Sequence, residues 1–450
     1  MITAATGVPY GSGAFLVMPL LIDRRTFLAA PFFVRNLISA PPSGQLRLGA
    51  FGAGGMAFVT IDQLLRHPKV KLVCVAEVDS AQLKQLKVRA PDARVYPDWR
   101  QMLAREKRNL DAVCVGTPDH MHAPMAMSAM RLGLPVYQQK PMAHSVHEVH
   151  MLTAMARQKN LVTQMGIQIH SAREYQTAVE LIQGGAIGKI KEVHSFSEKK
   201  WGDSDPLPDR SDPVPATLNW DRWIGVAQPR PFIRDVYHPV NWRKRIDFGT
   251  ATFGDMGCHI LDPVFGALGL AAPLSVRSEG AAPNGQSWAL DSVIHYVFPG
   301  TSVTEDKTVP ITWYDGDARP PQEIQALAGS LKLPGQGSLF VGAKGVMLLP
   351  HIAMPVLLPE DQFKDFPMPR HESVNHYYQF VEAVMGNGKT TTSFDYAGPL
   401  TEAVLLGPLA TRFPKTTLEW NSAKLKFSNS PEANHHVRTR YREGWKVKGL

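Results

Sequence analysis

The stretch LRLGAFGAGGMA, residues 46–57, decides how this chain folds. Its apolar first half predicts a buried strand, its glycines predict a tight turn, and the following FVTIDQLLRH has helical periodicity. This is the strand–turn–helix setting in which a G-x-G-x-x-[GA] fingerprint binds a dinucleotide. Gly52 permits the turn, Gly54 lets the backbone approach a pyrophosphate, and Ala57 is small enough for close helix–strand packing.

A second predicted strand, KLVCVAEVD at residues 71–79, ends in Glu77 and Asp79. An acid about 20 residues beyond such glycines binds the ribose diol of NAD and repels the 2′-phosphate of NADP. Gly55 and Met56 lie at the helix start, where backbone amides and the helix dipole attract phosphate. We therefore expect NAD rather than NADP. An ordinary strand–helix turn with solvated acids is the alternative.

Strands and helices continue to alternate after this point. The strand-like pieces are RVY (94–96), DAVCVGTP (111–118), PVYQQKP (135–141) and LVTQMGIQ (161–168), with amphipathic helices between them. Repeated strand–helix units predict a doubly wound parallel sheet with its ligand at the carboxyl ends of the strands. We assign residues 45–168 to this dinucleotide-binding domain.

The pattern changes in the second half of the chain. Two long loops, 201–223 and 225–245, are rich in Pro, Asp and Trp, and loops of this length usually shape a site or an interface. Extended runs follow at 273–280, 292–300, 309–316 and 338–349, and helices are predicted over 372–388 and 397–413. Residues 169–450 are thus predicted to form an α+β domain with a large, mostly antiparallel open sheet. The overall class is α/β.

From about Gln45 to near its C-terminus, the chain resembles the glucose–fructose oxidoreductase / inositol dehydrogenase (Gfo/Idh/MocA) family. Four motifs carry this resemblance, and their order and spacing make it specific. They are the glycine loop, TPDHMH (117–122), QKP (139–141), and NWR (241–243) followed by GDMGCHILD (254–262). They match the family's T-P-x-x-x-H, E-K-P, W-R and D-x-x-x-H patterns.

The resemblance implies hydride exchange between NAD(P) and a hydroxyl or keto carbon of a sugar, sugar derivative or polyol. It places Lys140 and His259 in the active site. It also places the TPDHMH loop beside the nicotinamide, and the cofactor contacts expected there are Thr117, Pro118, His120, His122 and Lys140. Gln139 departs from the family's usual Glu, which removes a carboxylate beside Lys140.

Alcohol oxidation needs a base for the hydroxyl proton and positive charge near the developing carbonyl. His259 is the candidate base, because histidine titrates near neutrality. Asp255 precedes it by four residues, so a helix would put both on one face, where Asp255 orients the imidazole or binds a substrate hydroxyl. Lys140 is expected to bind the reacting oxygen.

Aromatic and arginine side chains suit the apolar faces and hydroxyl edges of a sugar. Substrate contacts are therefore predicted for Tyr237, Trp242 and Arg243, together with Asp255, with domain packing as the alternative. His144, His147 and His150 recur at helical spacing, but successive steps of three drift around a helix, so no metal site is predicted.

Two other function classes remain open. One is an NAD-dependent glycoside hydrolase, which oxidises the sugar transiently so that the leaving group can be eliminated. The other is a sugar-binding or regulatory protein that keeps the fold without turnover, against which the presence of Lys140 and His259 argues. Release of a free sugar without net NADH distinguishes the hydrolase from the dehydrogenase, and a tightly held NAD would suit a closed redox cycle.

Charge and composition narrow the partners. The net charge of +8 is concentrated at the two ends, which argues against a nucleic-acid surface on the folded body. Residues 433–450, with five basic side chains against Glu443, are predicted to be a solvated tail. Cys74, Cys114 and Cys258 are too few for a disulfide framework. The resemblance implies a homo-oligomer formed through the open sheet.

Residues 1–44 are predicted to be a leader and linker. Arg24-Arg25-Thr26-Phe27-Leu28 resembles the core of a twin-arginine export signal, although Asp23 stands where Ser or Thr is usual. No apolar stretch reaches the length of a membrane span. Export to the periplasm is expected, with a disordered extension of a cytoplasmic protein as the alternative.

Overall fold

The computed structural model of the protein describes residues 44–450. The predicted leader and its arginine pair lie outside the described residues. Among the described residues, no helix is both long enough and apolar enough to cross a bilayer.

The first sheet has six parallel strands in the order β3-β2-β1-β4-β5-β6. Its strands are β1 Leu46–Phe51, β2 Val70–Ala76, β3 Arg94–Tyr96, β4 Ala112–Val115, β5 Val136–Gln138 and β6 Thr163–Met165. The helices that connect and follow them are α1 Gly55–Leu65, α2 Leu83–Arg89, α3 Trp99–Glu106, α4 His122–Arg131, α5 Val146–Lys159 and α6 Arg173–Gln183. The strand order reverses between β1 and β4, which creates a crevice at their carboxyl ends. The predicted doubly wound parallel sheet is confirmed.

The second sheet has nine strands in the order β13-β12-β11-β7-β10-β9-β8-β14-β15. They are β7 Ile190–Ser197, β8 Ser275–Glu279, β9 Val293–Pro299, β10 Thr308–Asp315, β11 Gln336–Gly342, β12 Val346–Pro350, β13 Val356–Leu358, β14 Thr417–Asn421 and β15 Lys426–Phe427. Only β7 and β10 pair in parallel, which confirms a mostly antiparallel sheet. The extended run at 338–349 is in fact two strands, because residues 343–345 turn the chain between β11 and β12.

The remaining helices lie between or after the strands of the second sheet. They are α7 Trp220–Ile224, α8 Cys258–Ile260, α9 Asp262–Leu268, α10 Gln322–Ala326, α11 Glu360–Phe363, α12 His376–Val384, α13 Phe394–Ala410 and α14 Pro431–Asn434. A π-helix, Phe253–Gly257, runs directly into α8.

The C-terminal part of the chain returns to the dinucleotide-binding half. Helix α12 contributes Phe380, Val381 and Val384 to the core that covers β1 and α1. Helix α13 is almost wholly buried and packs on α5 as well as on the π-helix. Helices from the end of the chain therefore complete the core of the dinucleotide-binding domain, and the cluster around α13 also contains residues of the second sheet.

The basic C-terminal tail is only partly solvated, which corrects the expectation of a fully solvated end: Arg438, Arg440, Lys446 and Lys448 are exposed, but the aromatic side chains between them are packed. Trp445 is buried beneath Arg100, whose guanidinium lies 3.9 Å from the indole centroid. Tyr441 donates a hydrogen bond to Glu148 at 2.5 Å, and Arg442 pairs with Asp221 at 2.7 Å. Charge counting misled the prediction because the aromatic residues between the basic ones pack on the dinucleotide-binding half.

Candidate active site

A cleft of about 930 Å³ opens at the carboxyl ends of β1, β2, β4 and β5 and continues to the π-helix and the ends of β7 and β12. It is lined on one side by residues of the glycine loop and on the other by Lys199, His259 and His351. The cleft lies where the strand order of the first sheet reverses, the place expected for a ligand in such folds.

The glycine loop has the geometry that a pyrophosphate requires. Gly52 has a φ of +89°, a conformation that favours glycine. A Cβ on Gly116, which follows β4, would come within 2.7 Å of the Ala57 Cβ, so the small residues here permit close helix–strand packing. Gly54 precedes α1 without any side-chain cap, which leaves the first amides of the helix to bind an anion. Gly55 and Met56 line the cleft at this point.

Glu77 lies at the end of β2 and lines the cleft. Its carboxylate accepts hydrogen bonds from the backbone amides of Ala53 at 2.7 Å and of Val78 and Asp79 at 2.8 Å each. Burial raises the pKa of Glu77, while these amides act in the opposite direction. A carboxylate fixed here, beside the glycine loop, fits the ribose diol of NAD.

Asp79 does not line the cleft, which corrects its predicted role as a cofactor contact. Its carboxylate accepts from the Ala81 amide and the Gln82 side chain, and it lies 2.9 Å from His238 Nε2. Asp79 therefore caps a short helical turn and anchors the long loop that carries His238.

The TPDHMH loop is divided between the cleft and the core. Thr117, Pro118 and His122 line the cleft. The ring nitrogens of His122 each lie 2.7 Å from a carbonyl oxygen, one of Thr117 and one of Pro141, so His122 braces this loop against the turn that carries Lys140. His120 was wrongly predicted to contact the cofactor: it is buried against Phe248, with Nε2 3.1 Å from the Ile224 carbonyl oxygen.

Lys140 and Asp255 form a buried ion pair at the centre of the cleft. The ammonium donates to Asp255 Oδ1 at 2.6 Å and to the Asp255 carbonyl oxygen at 2.7 Å. Burial acts to raise the pKa of Asp255, but Lys140, Arg243 and Lys199 outweigh it and hold that pKa well below its usual range. Gln139, where the family has Glu, instead donates to the Thr60 hydroxyl at 2.8 Å inside the core.

The predicted pairing of Asp255 with His259 is not what the structure shows. Asp255 lies in the π-helix and its side chain turns to Lys140, whereas the Nδ1 atom of His259 is buried with no hydrogen-bond partner. Burial lowers the pKa of His259 well below its usual value, and the charge of Lys140 lowers it further. His259 is thus a neutral imidazole at the cleft wall, the form that accepts a proton.

Three residues of the site escaped the sequence analysis. Trp201 donates its indole N–H to Asp255 Oδ2 at 2.8 Å, and Lys199 lies 3.5 Å from the same oxygen. His351 lies beside His259, with ring centroids 5.9 Å apart, and is within 2.7 Å of the Tyr175 hydroxyl. Burial lowers the pKa of His351 to about 4. These residues come from loops after β7 and β12, where no local motif marks them.

The predicted substrate contacts are separated by the structure. Arg243 and Trp242 line the cleft, and the guanidinium lies 4.3 Å from the Trp242 ring centroid. Arg243 also approaches Asp255 Oδ1 to 3.5 Å. Tyr237 instead packs against Trp220 and Phe248 in an aromatic cluster outside the cleft, so domain packing was the correct alternative for it.

The histidines of α5 and the turn before it have separate partners. His150 lies 2.8 Å from Glu402, and His144 Nε2 lies 3.3 Å from the Gly249 carbonyl oxygen. Within residues 44–450, no cluster of three His, Cys, Asp or Glu side chains is arranged to hold a metal ion.

Comparison with known protein families agrees with this site. The model of an oxidoreductase family with an NAD-binding Rossmann fold matches residues 46–167, and the model of its C-terminal α/β domain matches residues 187–298. Together they cover more than half of the chain. The protein belongs to the Gfo/Idh/MocA oxidoreductase family, and residues 46–167 are an NAD-binding Rossmann domain.

Curated relatives share only part of the chain. A 1-carboxy-3-chloro-3,4-dihydroxycyclohexa-1,5-diene dehydrogenase of Comamonas testosteroni is 27% identical over 152 residues, which are 34% of this chain and 38% of that protein. A dTDP-3,4-didehydro-2,6-dideoxy-α-D-glucose 3-reductase of Streptomyces antibioticus is 29% identical over 34% of this chain and 46% of that protein. A glycosyl hydrolase family 109 protein of Shewanella baltica is 27% identical over 36% of this chain and 37% of that protein. The chain thus matches less than half the length of each of these relatives.

Solved structures share the whole architecture at low identity. The WlbA dehydrogenase of Chromobacterium violaceum, in complex with NADH and UDP-GlcNAcA, has a TM-score of 0.60 at 16% identity and covers 85% of this chain and 98% of its own. An aldose–aldose oxidoreductase of Caulobacter crescentus has a TM-score of 0.55 at 15% identity, covering 84% of this chain and 100% of its own. These likenesses support the two-part fold.

Proposed function

We propose that the protein is an NAD-dependent oxidoreductase that exchanges hydride with a hydroxyl or keto carbon of a sugar, sugar derivative or polyol. One observation carries the proposal. Lys140, a proton donor, and His259, a neutral base, line the same cleft as the uncapped start of α1 and the Glu77 carboxylate. Relatives that act on a deoxysugar nucleotide and on a dihydroxylated ring support this class of substrate.

NAD, when bound, supplies the hydride acceptor. Lys140 uses two of its three N–H groups on Asp255, which leaves one to bind the reacting oxygen. His259 takes the hydroxyl proton as the C–H hydrogen leaves with its electron pair and the carbonyl forms. Asp255 fixes the ammonium in position and is itself held by the Trp201 indole. In the reverse direction the same groups return the proton to the alcohol.

The first experiment is to denature the purified protein and assay the supernatant for nicotinamide dinucleotide by absorbance and mass. Stoichiometric NAD(H) supports a tightly bound cofactor that is recycled within one site. An empty protein that binds added NAD and reduces it with a sugar supports an exchanging dehydrogenase. A protein that is empty and also fails to bind NAD or NADP would contradict the proposal.

An NAD-dependent glycoside hydrolase is the second candidate, supported by the family 109 relatives. It uses the same groups for a transient oxidation followed by elimination. Incubation with aryl glycosides distinguishes the two. Release of the phenol without accumulation of NADH indicates hydrolysis, whereas a keto-sugar formed with equimolar NADH indicates a dehydrogenase.

We also propose that Arg24-Arg25 directs export of the folded protein to the periplasm, consistent with a cofactor that is loaded before transport. Fusion of residues 1–44 to a reporter tests this. Periplasmic reporter that is lost when both arginines become lysines supports export, whereas reporter retained in the cytoplasm in both cases contradicts it.

Self-association through the second sheet is a further part of the proposal. On β9, Val293, His295 and Val297 point to the same side and remain partly or fully exposed, so this side offers a surface to a second copy. Light scattering tests the proposal by comparing the mass in solution with that of one 49.7 kDa chain. A single-chain mass across the micromolar range would refute it.

A further inference from the structure

We propose that the substrate carries a carboxylate, as a uronic or aldonic acid does, and that Lys199 and Arg243 bind it. This inference rests on the proposed function and narrows it from sugars and polyols in general to acidic sugars. It concerns the side chains around Asp255 on the side of the cleft away from the glycine loop.

The charges in this part of the cleft do not balance. Lys140, Lys199 and Arg243 all surround the single carboxylate of Asp255, at 2.6, 3.5 and 3.5 Å. Asp119 is the other acid that lines this region, and it is buried against the Thr250 hydroxyl. Even with Asp119 counted as ionised, three cations face two anions. A substrate anion removes this excess and is attracted by it.

Lys199 and Arg243 keep most of their donors free for a carboxylate, whereas Lys140 keeps one N–H group, which binds the reacting oxygen. Lys140 is committed to Asp255 by two short hydrogen bonds, whereas Lys199 makes one long contact and has a side chain 42% exposed. Arg243 contacts Asp255 at 3.5 Å and the Val240 carbonyl oxygen at 3.4 Å, so most of its guanidinium N–H groups are unpaired. A planar guanidinium with free N–H groups matches the two oxygens of a carboxylate.

Two indole rings flank that guanidinium beside Asp255. It lies over Trp242 at 4.3 Å and near Trp201 at 5.5 Å, and both indoles line the cleft. Indole faces also suit the apolar face of a sugar ring. The carboxylate thus binds Lys199 and Arg243 while a neighbouring carbinol of the same ring reaches Lys140 and His259.

The test compares acidic and neutral sugars that differ in a single group. Glucuronate, galacturonate and mannuronate are each paired with the hexose that has a hydroxymethyl group in place of the carboxylate. The readouts are kcat/KM for NAD reduction and, for the NADH-loaded protein, the binding constant by calorimetry. We expect at least one uronate to exceed its hexose by about tenfold or more, as a charge-assisted contact predicts.

Lys200, the neighbour of Lys199 in the chain, provides a matched control. Lys199→Gln and Arg243→Gln are each expected to reduce the uronate-to-hexose ratio by about tenfold. Loss of folded protein alone lowers both members of a pair and leaves that ratio unchanged. Lys200→Gln is the control, because Lys200 pairs with the exposed Asp317 outside the cleft.

Equal kcat/KM and equal binding for every acidic and neutral pair would overturn the inference while leaving an active sugar dehydrogenase intact. A uronate preference that persists in both glutamine variants would overturn the assignment of Lys199 and Arg243. Failure of the proposed function is distinct from both, because the protein would then neither bind NAD nor oxidise any sugar.

Discussion

Asp255 contacts more side chains of the site than the sequence motifs predict. Its carboxylate joins Lys140 to Trp201, and Lys199 and Arg243 approach its two oxygens. Because the ion pair between Asp255 and Lys140 is buried, it stabilises the fold only when both partners are present. The state of this one carboxylate therefore governs both the stability of the cleft and the charge next to His259.

Asp255→Asn is expected to destabilise the protein by about 3 kcal/mol at pH 7, because it leaves the Lys140 ammonium buried without its anion. The folded-state pKa of Asp255 is lowered, so its stabilising effect is complete above the unfolded pKa and declines as the pH falls below it. Urea unfolding at pH 7 and pH 3 should show a smaller difference between the two proteins at pH 3. The same difference at both pH values would show that Asp255 is not held ionised by its neighbours.

Protonation of His259 should reduce kcat/KM only at unusually low pH. Burial and the charge of Lys140 lower its pKa, so it stays neutral and able to accept a proton below pH 6.5. For sugar oxidation, kcat/KM should hold constant down through pH 6.5 and fall only below it. In His259→Gln, kcat should be lower by about 100-fold or more, and the fall in kcat/KM that protonation of His259 causes at low pH should disappear. A midpoint at or above 6.5 in the wild-type protein would contradict this environment.

Glu77 should make the protein prefer NAD. Its carboxylate is fixed by three backbone amides beside the glycine loop and would lie close to the 2′-phosphate of NADP. We expect the protein to bind NAD at least about tenfold more tightly than NADP, and we expect Glu77→Gln to reduce this difference in affinity because the repulsion of the 2′-phosphate is weaker. Calorimetry with both cofactors measures this. Equal affinities in the wild-type protein would place the ribose elsewhere.

At the scale of elements, the π-helix Phe253–Gly257 aligns the site with the core. Its Asp255 faces Lys140, while Phe253 stacks on Trp313 with ring centroids 4.4 Å apart. Gly257 makes this packing possible, since a Cβ there would lie 2.3 Å from the Phe253 ring. Packing on this ring thus explains Gly257, whereas a Cβ on Gly249 would meet the backbone of Arg243 and one on Gly254 would meet the Thr250 side chain.

Gly257→Ala is expected to cost about 1–3 kcal/mol through overpacking. Gly266→Ala is the matched control, because a Cβ there meets its nearest neighbours at 3.4–3.5 Å, which is ordinary contact, and Gly266 lies within α9. Urea unfolding of the two variants measures the difference. A Gly257→Ala protein as stable as the control would show that the π-helix adapts without strain.

The elements also show why the cofactor side of the cleft was predictable from the sequence. The glycine loop, Glu77 and the strand ends are local motifs whose spacing follows from one strand–turn–helix unit, and the structure places them as expected. Lys199, Trp201 and His351 reach the cleft through pairings between distant strands, which no local pattern records. Tyr237 and His120 were misassigned for a related reason: their loops have two sides, and the sequence does not show which side faces the ligand.

At the scale of the whole molecule, the two sheets are held together by the end of the chain. Helices α12 and α13 supply core to the first sheet, and residues 437–450 then continue along its helices. Trp445 lies between Arg100 of α3 and Arg442, whose carbon Cζ is 4.7 Å from the indole centroid. The tail therefore packs on the dinucleotide-binding domain and stabilises it, although its charge predicted a solvated end.

Trp445→Ala tests whether the packing of this tail stabilises the protein. Trp445 is 9% exposed, and replacing a buried tryptophan costs about 3–5 kcal/mol, so the variant should unfold at clearly lower urea. Lys446→Ala is the matched control, because its side chain is exposed and no hydrogen bond or ion pair holds it among the described residues. Since the indole packs against α3 and not against the cleft, NAD affinity measured well below the unfolding transition should change little. A Trp445→Ala protein as stable as Lys446→Ala would show that the tail is only loosely attached and that the two sheets depend on α12 and α13 alone.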